Sequence, residues 1–165
     1  MTQLATDPIR EEHRQLVPHL RHVEAAATAV MVWDHGEAQS RLSQVLAFLR
    51  DDLLPHAKQE EDVLYPEIDR ITGANTTATM TLDHVEIKDR IDRLGTTVET
   101  ALGNWDDRES VGEVSRHLAA LAAIVLLHFH KEEEALLPVL DDGLTVEEGH
   151  QLFSRMGHGH GHHEH

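Results

Sequence analysis

One motif occurs twice in this chain, and the repeat constrains the fold more than any other feature. His13 recurs as His84, and His56, Glu60 and Pro66 recur as His128, Glu132 and Pro138, all at one interval to within a single position. The stretch from His13 to His56 likewise matches that from His84 to His128 to within a single position. Glu12-His13 parallels Asp83-His84, and His56-x-x-x-Glu60-Glu61-x-x-Leu64-Tyr65-Pro66 parallels His128-x-x-x-Glu132-Glu133-x-x-Leu136-Leu137-Pro138. Such close agreement over so many spaced positions implies a helix-pair unit used twice.

The apolar pattern is helical throughout, and no run alternates with period two. Asp7-Pro8 opens a first helix, with Asp as cap and Pro where no donor is lost, and it runs to about Trp33. Asp34-His35-Gly36 breaks it. A second helix runs from near Glu37 toward Arg70, with Pro55 expected to bend it. After Thr72-Gly73-Ala74-Asn75, a third covers about Thr77 to Leu102. A fourth covers about Asp107 to Leu140, and a Thr145/Glu148 capping box predicts a short fifth to about Arg155. Four long helices with short connections predict an all-α, antiparallel up-down-up-down four-helix bundle. It is expected to fill residues 1–156 as one domain, followed by a disordered His-rich tail, 157–165.

His and Glu at i and i+4 share a helix face, and in both copies that face continues to Leu at i+8. Chelating side chains therefore share a stripe with core residues, where an ionised carboxylate needs a partner. A dimetal centre supplies one. With no cysteine in the chain, the donors are imidazole and carboxylate, which suit iron, manganese or zinc. The first and third helices each give one His. The second and fourth each give a His and a Glu, so each metal takes two imidazoles and the glutamates bridge. A lone His-x-x-x-Glu is usually a surface pair; two in register, each with a His upstream, reverse that reading.

These residues resemble the hemerythrin-like (HHE cation-binding) domains, whose pattern is His, His-x-x-x-Glu, His, His-x-x-x-Glu. The resemblance covers about residues 7 to 140. It implies a non-haem di-iron centre of two iron ions, oxo- or hydroxo-bridged, with His13, His56, His84 and His128 as terminal ligands and Glu60 and Glu132 as bridges. The oxygen carriers of that family have a fifth histidine one turn after the third-helix His, where this chain has Lys88. They also have an Asp five residues after the fourth-helix His, where this chain has Glu132 at four. Ligand counting then leaves an exchangeable position on each iron unless another side chain fills one. That favours catalase-like turnover of hydrogen peroxide, or nitric oxide and oxygen handling, in stress defence. The alternatives are reversible oxygen binding, iron or oxygen sensing, and iron sequestration.

Lys88 is expected either to pair with Glu86, Asp89 or Asp92 at the surface or to face the metals and stabilise a bound anion. Tyr65 lies five residues after Glu60, so on an α-helix it is rotated about 140° away and is expected to pack rather than ligate; the alternative is a redox or ligand role, with Tyr65 or Glu86 filling the vacant position. Glu61 and Glu133 are expected to face outward or to accept hydrogen bonds from ligand histidines. His117 suits a core or tunnel position. His19, His22, His35, His130 and His150 read as surface residues. The tail holds five of the fifteen histidines and reads as a metal-gathering segment. A mere tag is disfavoured by its interleaved Gly and Glu, and the third reading is no role at all.

Thirty acidic residues against fourteen basic ones, a formal charge of -16, exclude nucleic acid and anionic membranes as natural partners. No leader and no run of 18 apolar residues is seen, so a cytoplasmic protein with no membrane span is expected. Small diatomic or peroxide ligands, an unidentified reductase, and a monomer or weak homo-oligomer complete the expectations.

Overall fold

The computed structural model describes residues 2–157; the histidines of the tail lie outside the described residues. An antiparallel four-helix bundle carries a fifth, short helix. The elements are α1 (Asp7–Ala29, extended by a 3-10 turn at Val30–Val32), α2 (residues 35–72), α3 (Ala78–Gly103), α4 (Arg108–Gly143) and α5 (Val146–Arg155). No strand occurs among the described residues. α4 packs along both α1 and α3, α2 closes against α3, and α5 lies against α1, α2 and the end of α4.

The helix starts follow local chemistry. Asp34 accepts from the Glu37 amide at 2.8 Å, so α2 begins at His35 rather than Glu37. Thr145 and Glu148 form the expected capping box on α5. At α1 the expected cap is replaced. Asp7 is already helical and accepts from Leu4, while Thr6 turns its amide and hydroxyl to Asp141, both at 2.9 Å. Thr77, at the start of α3, does the same with Asp69 at 3.0 and 2.9 Å. The repeat thus extends to a pair of buried Thr–Asp clamps that fix where α1 and α3 begin.

Pro55, Pro66 and Pro138 do not break their helices. Each is preceded by a π-turn, at Leu49–Leu53, Glu60–Leu64 and Glu132–Leu136. In each turn the residue just before the proline donates its amide to the carbonyl five back: Leu54 to Leu49, Tyr65 to Glu60, Leu137 to Glu132. A proline has no N–H and crowds the preceding turn. One wide turn absorbs the mismatch and lets the helix continue.

The core is two apolar clusters with a polar layer between them. The larger includes Leu16, Leu20, Leu49, Ile91, Leu94, Leu118 and Phe129. The smaller, with Ile9, Leu64, Ile68, Leu136, Leu140 and Phe153, is capped by α5. α4 is long and apolar enough, by length and composition, to cross a membrane. Here it is the helix that contacts both α1 and α3, and it carries His128 and Glu132.

Candidate metal centre

The polar layer consists of the six side chains singled out by the repeat. His13, His56, His84 and His128 are at most 6% exposed, and Glu60 and Glu132 are fully buried. Glu60 reaches both imidazole pairs. Its Oε2 lies 3.3 Å from His56 Nε2 and 3.5 Å from His13 Nε2, and its Oε1 lies 3.2 Å from His84 Nε2. Glu132 Oε1 lies 3.2 Å from His128 Nε2 and 3.7 Å from His13 Nε2. His84 Nε2 and His128 Nε2 are 2.9 Å apart. Two donors each about 2.1 Å from one first-row cation, at right angles, sit about 3 Å apart. Two sets of donor atoms, His13/His56/Glu60 and Glu60/His84/His128, are spaced to hold a metal ion, and Glu60 belongs to both.

The hydrogen-bond accounting supports a cation. His13 Nε2, His56 Nε2, both oxygens of Glu60 and Glu132 Oε1 are buried with no hydrogen-bond partner. Buried polar groups of this kind are expensive when left alone, and charged ones more so. They converge on common points rather than on one another, so the donor set fits metal ions in chemistry, burial and spacing.

A second ring of carboxylates holds the imidazoles. His56 Nδ1 bonds Glu12 at 2.7 Å, His128 Nδ1 bonds Asp83 at 2.9 Å, His84 Nδ1 bonds Glu61 at 3.1 Å and His13 Nδ1 bonds Glu133 at 3.2 Å. The pattern obeys the repeat. The acid before each first histidine serves the second histidine of its own half, and the acid after each Glu serves the first histidine of the other half. A proton held on Nδ1 leaves the Nε2 lone pair facing the centre. Of the two roles expected for Glu61 and Glu133, the structure shows the acceptor role. Glu12 and Asp83 join them without having been singled out by the sequence, although their shared place in the repeat is the signal that marks them.

Protein groups alone balance this layer by shifting protons. Burial alone would depress the His56 imidazole, but Glu60 and Glu12 outweigh it and raise it to about 10. His128 is likewise raised to about 10, against burial, by Glu132 and Glu60. Burial, then the like charge of Glu60, raises Glu132. Glu60 also suffers burial, yet the imidazoles, His56 first, hold it well below the usual carboxylate range. Cations would take over this neutralisation and leave the imidazoles neutral, as ligands must be.

Tyr65 packs in the smaller apolar cluster, as expected, and also reaches the centre. Its Oη donates to Glu132 Oε2 at 2.8 Å and lies 3.2 Å from His84 Nε2 and 3.3 Å from His128 Nε2. The rotation away from Glu60 holds only for a regular α-helix. The π-turn at Glu60–Leu64 spends five residues on one turn, so Tyr65 comes back to the face of Glu60. Burial first, then Glu60 and Glu132, push the phenol far above its ordinary value. The proline-driven turn thereby adds a donor beside the His84/His128 pair, where ligand counting leaves a position open.

Lys88 takes no part in the site. Ile87 is the buried residue at this turn of α3 and Lys88 is exposed, while Glu86 and Asp89 pair with Arg90 and Arg93. The option that Lys88 faces the metals is therefore corrected by the rotation of α3. Phe129, unforeseen, stacks on His13 with centroids 4.3 Å apart. The repeat breaks here: Tyr65 matches Leu137, and Phe129 matches Ala57. His117 is half-buried outside the centre, and His19, His22, His35, His130 and His150 are exposed.

Comparison with curated proteins and with solved structures gave no match. Comparison with protein families did: the Hemerythrin HHE cation binding domain matches residues 4–140 and again residues 75–165. The offset between the starts of the two matches equals the step from His13 to His84, as a doubled helix pair requires. With the match spanning most of the chain and the paired His/Glu groups in place, the chain belongs to the hemerythrin HHE cation-binding domain family.

Proposed function

We propose that the centre holds two iron ions and decomposes hydrogen peroxide in a catalase-like dismutation, as a defence against oxidants. The observation that carries the two-metal reading is the reach of Glu60, one oxygen toward His13 and His56 and the other toward His84. In this reading His13 and His56 hold one ion, His84 and His128 the other, and Glu60 and Glu132 bridge. A mixed imidazole and carboxylate set suits iron. A di-iron pair supplies two electrons between its diferrous and diferric states, which matches both halves of the dismutation: one peroxide takes two electrons and two protons to give two waters, and a second returns them as oxygen is released.

The chain's own residues do the rest. Tyr65 Oη stands where a third donor to the His84/His128 side would stand, 3.2 Å from His84 Nε2 and 3.3 Å from His128 Nε2. With an iron held by His84 and His128, Tyr65 would be its further oxygen donor on that side, giving up the proton it now shares with Glu132. Phe129 packs against His13 and His56, so an exchangeable ligand on that side would meet an apolar ring. The four outer carboxylates keep each Nε2 aimed inward, and the apolar clusters on either side exclude water.

The test is elemental analysis joined to an oxygen electrode. Protein produced with ample iron should carry two irons per chain and release one oxygen for every two peroxides consumed. One metal per chain, or peroxide loss without oxygen, would contradict the proposal.

A further inference from the structure

α1 packs along α4, and α2 against α3. The seam between α1 and α2 holds a groove of about 520 Å³, a size suited to a small molecule. The groove runs along α1 from His19 to Ala29 and along α2 from Phe48 back to Arg41, roughly 10–15 Å at 1.5 Å per residue. None of the six donors of the metal centre lines it. Its floor is apolar: Val23, Ala26 and Phe48 are buried, and Val45 is half-buried against the larger core cluster. His19 stacks on Phe48, with centroids 4.9 Å apart, and closes one end.

The other end is cationic. The Arg41 guanidinium carbon lies 5.6 Å from the centre of the Trp33 ring, and its Nε donates to Glu37 at 2.9 Å. These contacts hold the planar fork in place and leave its terminal nitrogens for a ligand. Gln44, one turn on along α2, lines the same groove and carries an amide donor. Glu37 is not in the wall, and among the described residues no aspartate or glutamate is. In a chain of formal charge -16, an acid-free wall with an arginine and two histidines favours anions. The groove between α1 and α5, walled in part by Glu11 and Glu12, repels them.

We propose that the α1/α2 groove binds an amphipathic carboxylate with an unbranched alkyl chain, its head on Arg41 and Gln44 and its chain along Val23, Ala26 and Val45 toward Phe48. The fixed positive charge sits at one end only, which matches a ligand with a single charged head. A second charge on the ligand would lie against Val23 and Phe48 with no partner, which is costly. The occupant touches both α1 and α2, the helices that carry His13 and His56, so it ties together a seam that the bundle leaves open. Binding in the groove depends neither on iron nor on peroxide chemistry.

Calorimetric titration of the iron-loaded full chain with dodecanoate, kept below its micelle concentration, is the test. One dodecanoate should bind per chain and raise the melting temperature. Decanoate and octanoate form a length series, and each methylene removed should weaken binding roughly three- to fourfold. Dodecanol and dodecyltrimethylammonium are the charge controls, and both should bind more weakly than dodecanoate. Arg41→Gln should weaken dodecanoate about fivefold or more and leave dodecanol unchanged. Ala25→Phe, at an exposed position in the groove wall, should abolish binding of both while the circular dichroism stays helical. No saturable binding of dodecanoate, or tighter binding of the ammonium than of the carboxylate, would overturn the proposal. Equal affinity of the parent and Arg41→Gln for dodecanoate would overturn the placing of the head, and equal affinity of the parent and Ala25→Phe would overturn the groove as the site. A dimeric parent that becomes monomeric in Ala25→Phe, with dodecanoate bound by neither, would give the groove to a second copy of the chain instead.

Discussion

Replacing Tyr65 by Phe tests the centre at the point where the structure departs most from the pattern of the chain. The substitution removes one oxygen. Glu132 Oε2 loses its donor at 2.8 Å and joins Oε1, which already has no hydrogen-bond partner. A hydrogen bond to a charged, buried group is worth about 1.5–3 kcal/mol, and the ring remains to fill its volume. Metal-free protein should therefore melt about 3–12 °C lower, at roughly 2–4 °C per kcal/mol for a domain of this size. In iron-loaded protein the cations satisfy Glu132, so the thermal penalty should shrink. The cost moves instead to the visible spectrum: a phenolate-to-iron charge-transfer band present in the parent should vanish in Tyr65→Phe. Calorimetry on metal-free and loaded protein, with a spectrum of each, separates the two effects. Unchanged melting of the metal-free variant together with an unchanged spectrum of the loaded one would refute the placement of the phenol and the π-turn argument behind it.

Glu60→Ala and Glu132→Ala should each lower iron content to one per chain or less, because each carboxylate faces both imidazole pairs; full occupancy in both variants by elemental analysis would contradict bridging. Removing metal with a chelator should lower the melting temperature, since a ligand at a hundred times its Kd stabilises the state it binds by about 2.7 kcal/mol; equal melting of both forms would count against a buried site. Asp83→Asn should weaken metal binding by about 10–100-fold, read by chelator competition, with the helical circular dichroism signal retained. Gly149→Ala should detach α5, because an added Cβ would run into the Ala5 carbonyl oxygen and lie 2.7 Å from the Ala5 Cα; proteolysis after residue 143 that is no faster than in the parent would show that α5 accommodates it.

Most of the bundle is legible in the sequence because its signals are local or repeated. Asp34, the Thr145/Glu148 box and the glycine breaks mark helix ends through hydrogen bonds made within a single turn. The six donors are legible because they recur in register. The rest depends on geometry that a fixed rotation per residue does not carry. Pro55 reads as a bend, whereas Pro55, Pro66 and Pro138 each follow a widened turn, and at Pro66 that widening carries Tyr65 into the centre. Lys88 reads either as a surface residue or as a neighbour of the metals, because one turn after His84 is close to it on a helical wheel; Ile87 takes the inward place and leaves Lys88 exposed. The stacking of Phe129 on His13 pairs α4 with α1, and no spacing within either helix announces it.

The two Thr–Asp clamps show how little the bundle depends on the order in which its helices are strung. Thr77 and Asp69 grip each other across a short loop, whereas Thr6 and Asp141 make the same contacts from opposite ends of the bundle's sequence. One joint has a short covalent tether and the other has none, yet the amide and hydroxyl bonds are 3.0 and 2.9 Å at the first and 2.9 and 2.9 Å at the second. In topological terms the molecule is a ring of two matching arcs, and the peptide link between α2 and α3 is only one way to close it. A chain cut at Asn75 keeps both clamps and all six donors, so two separate halves carry between them the information needed to rebuild one centre.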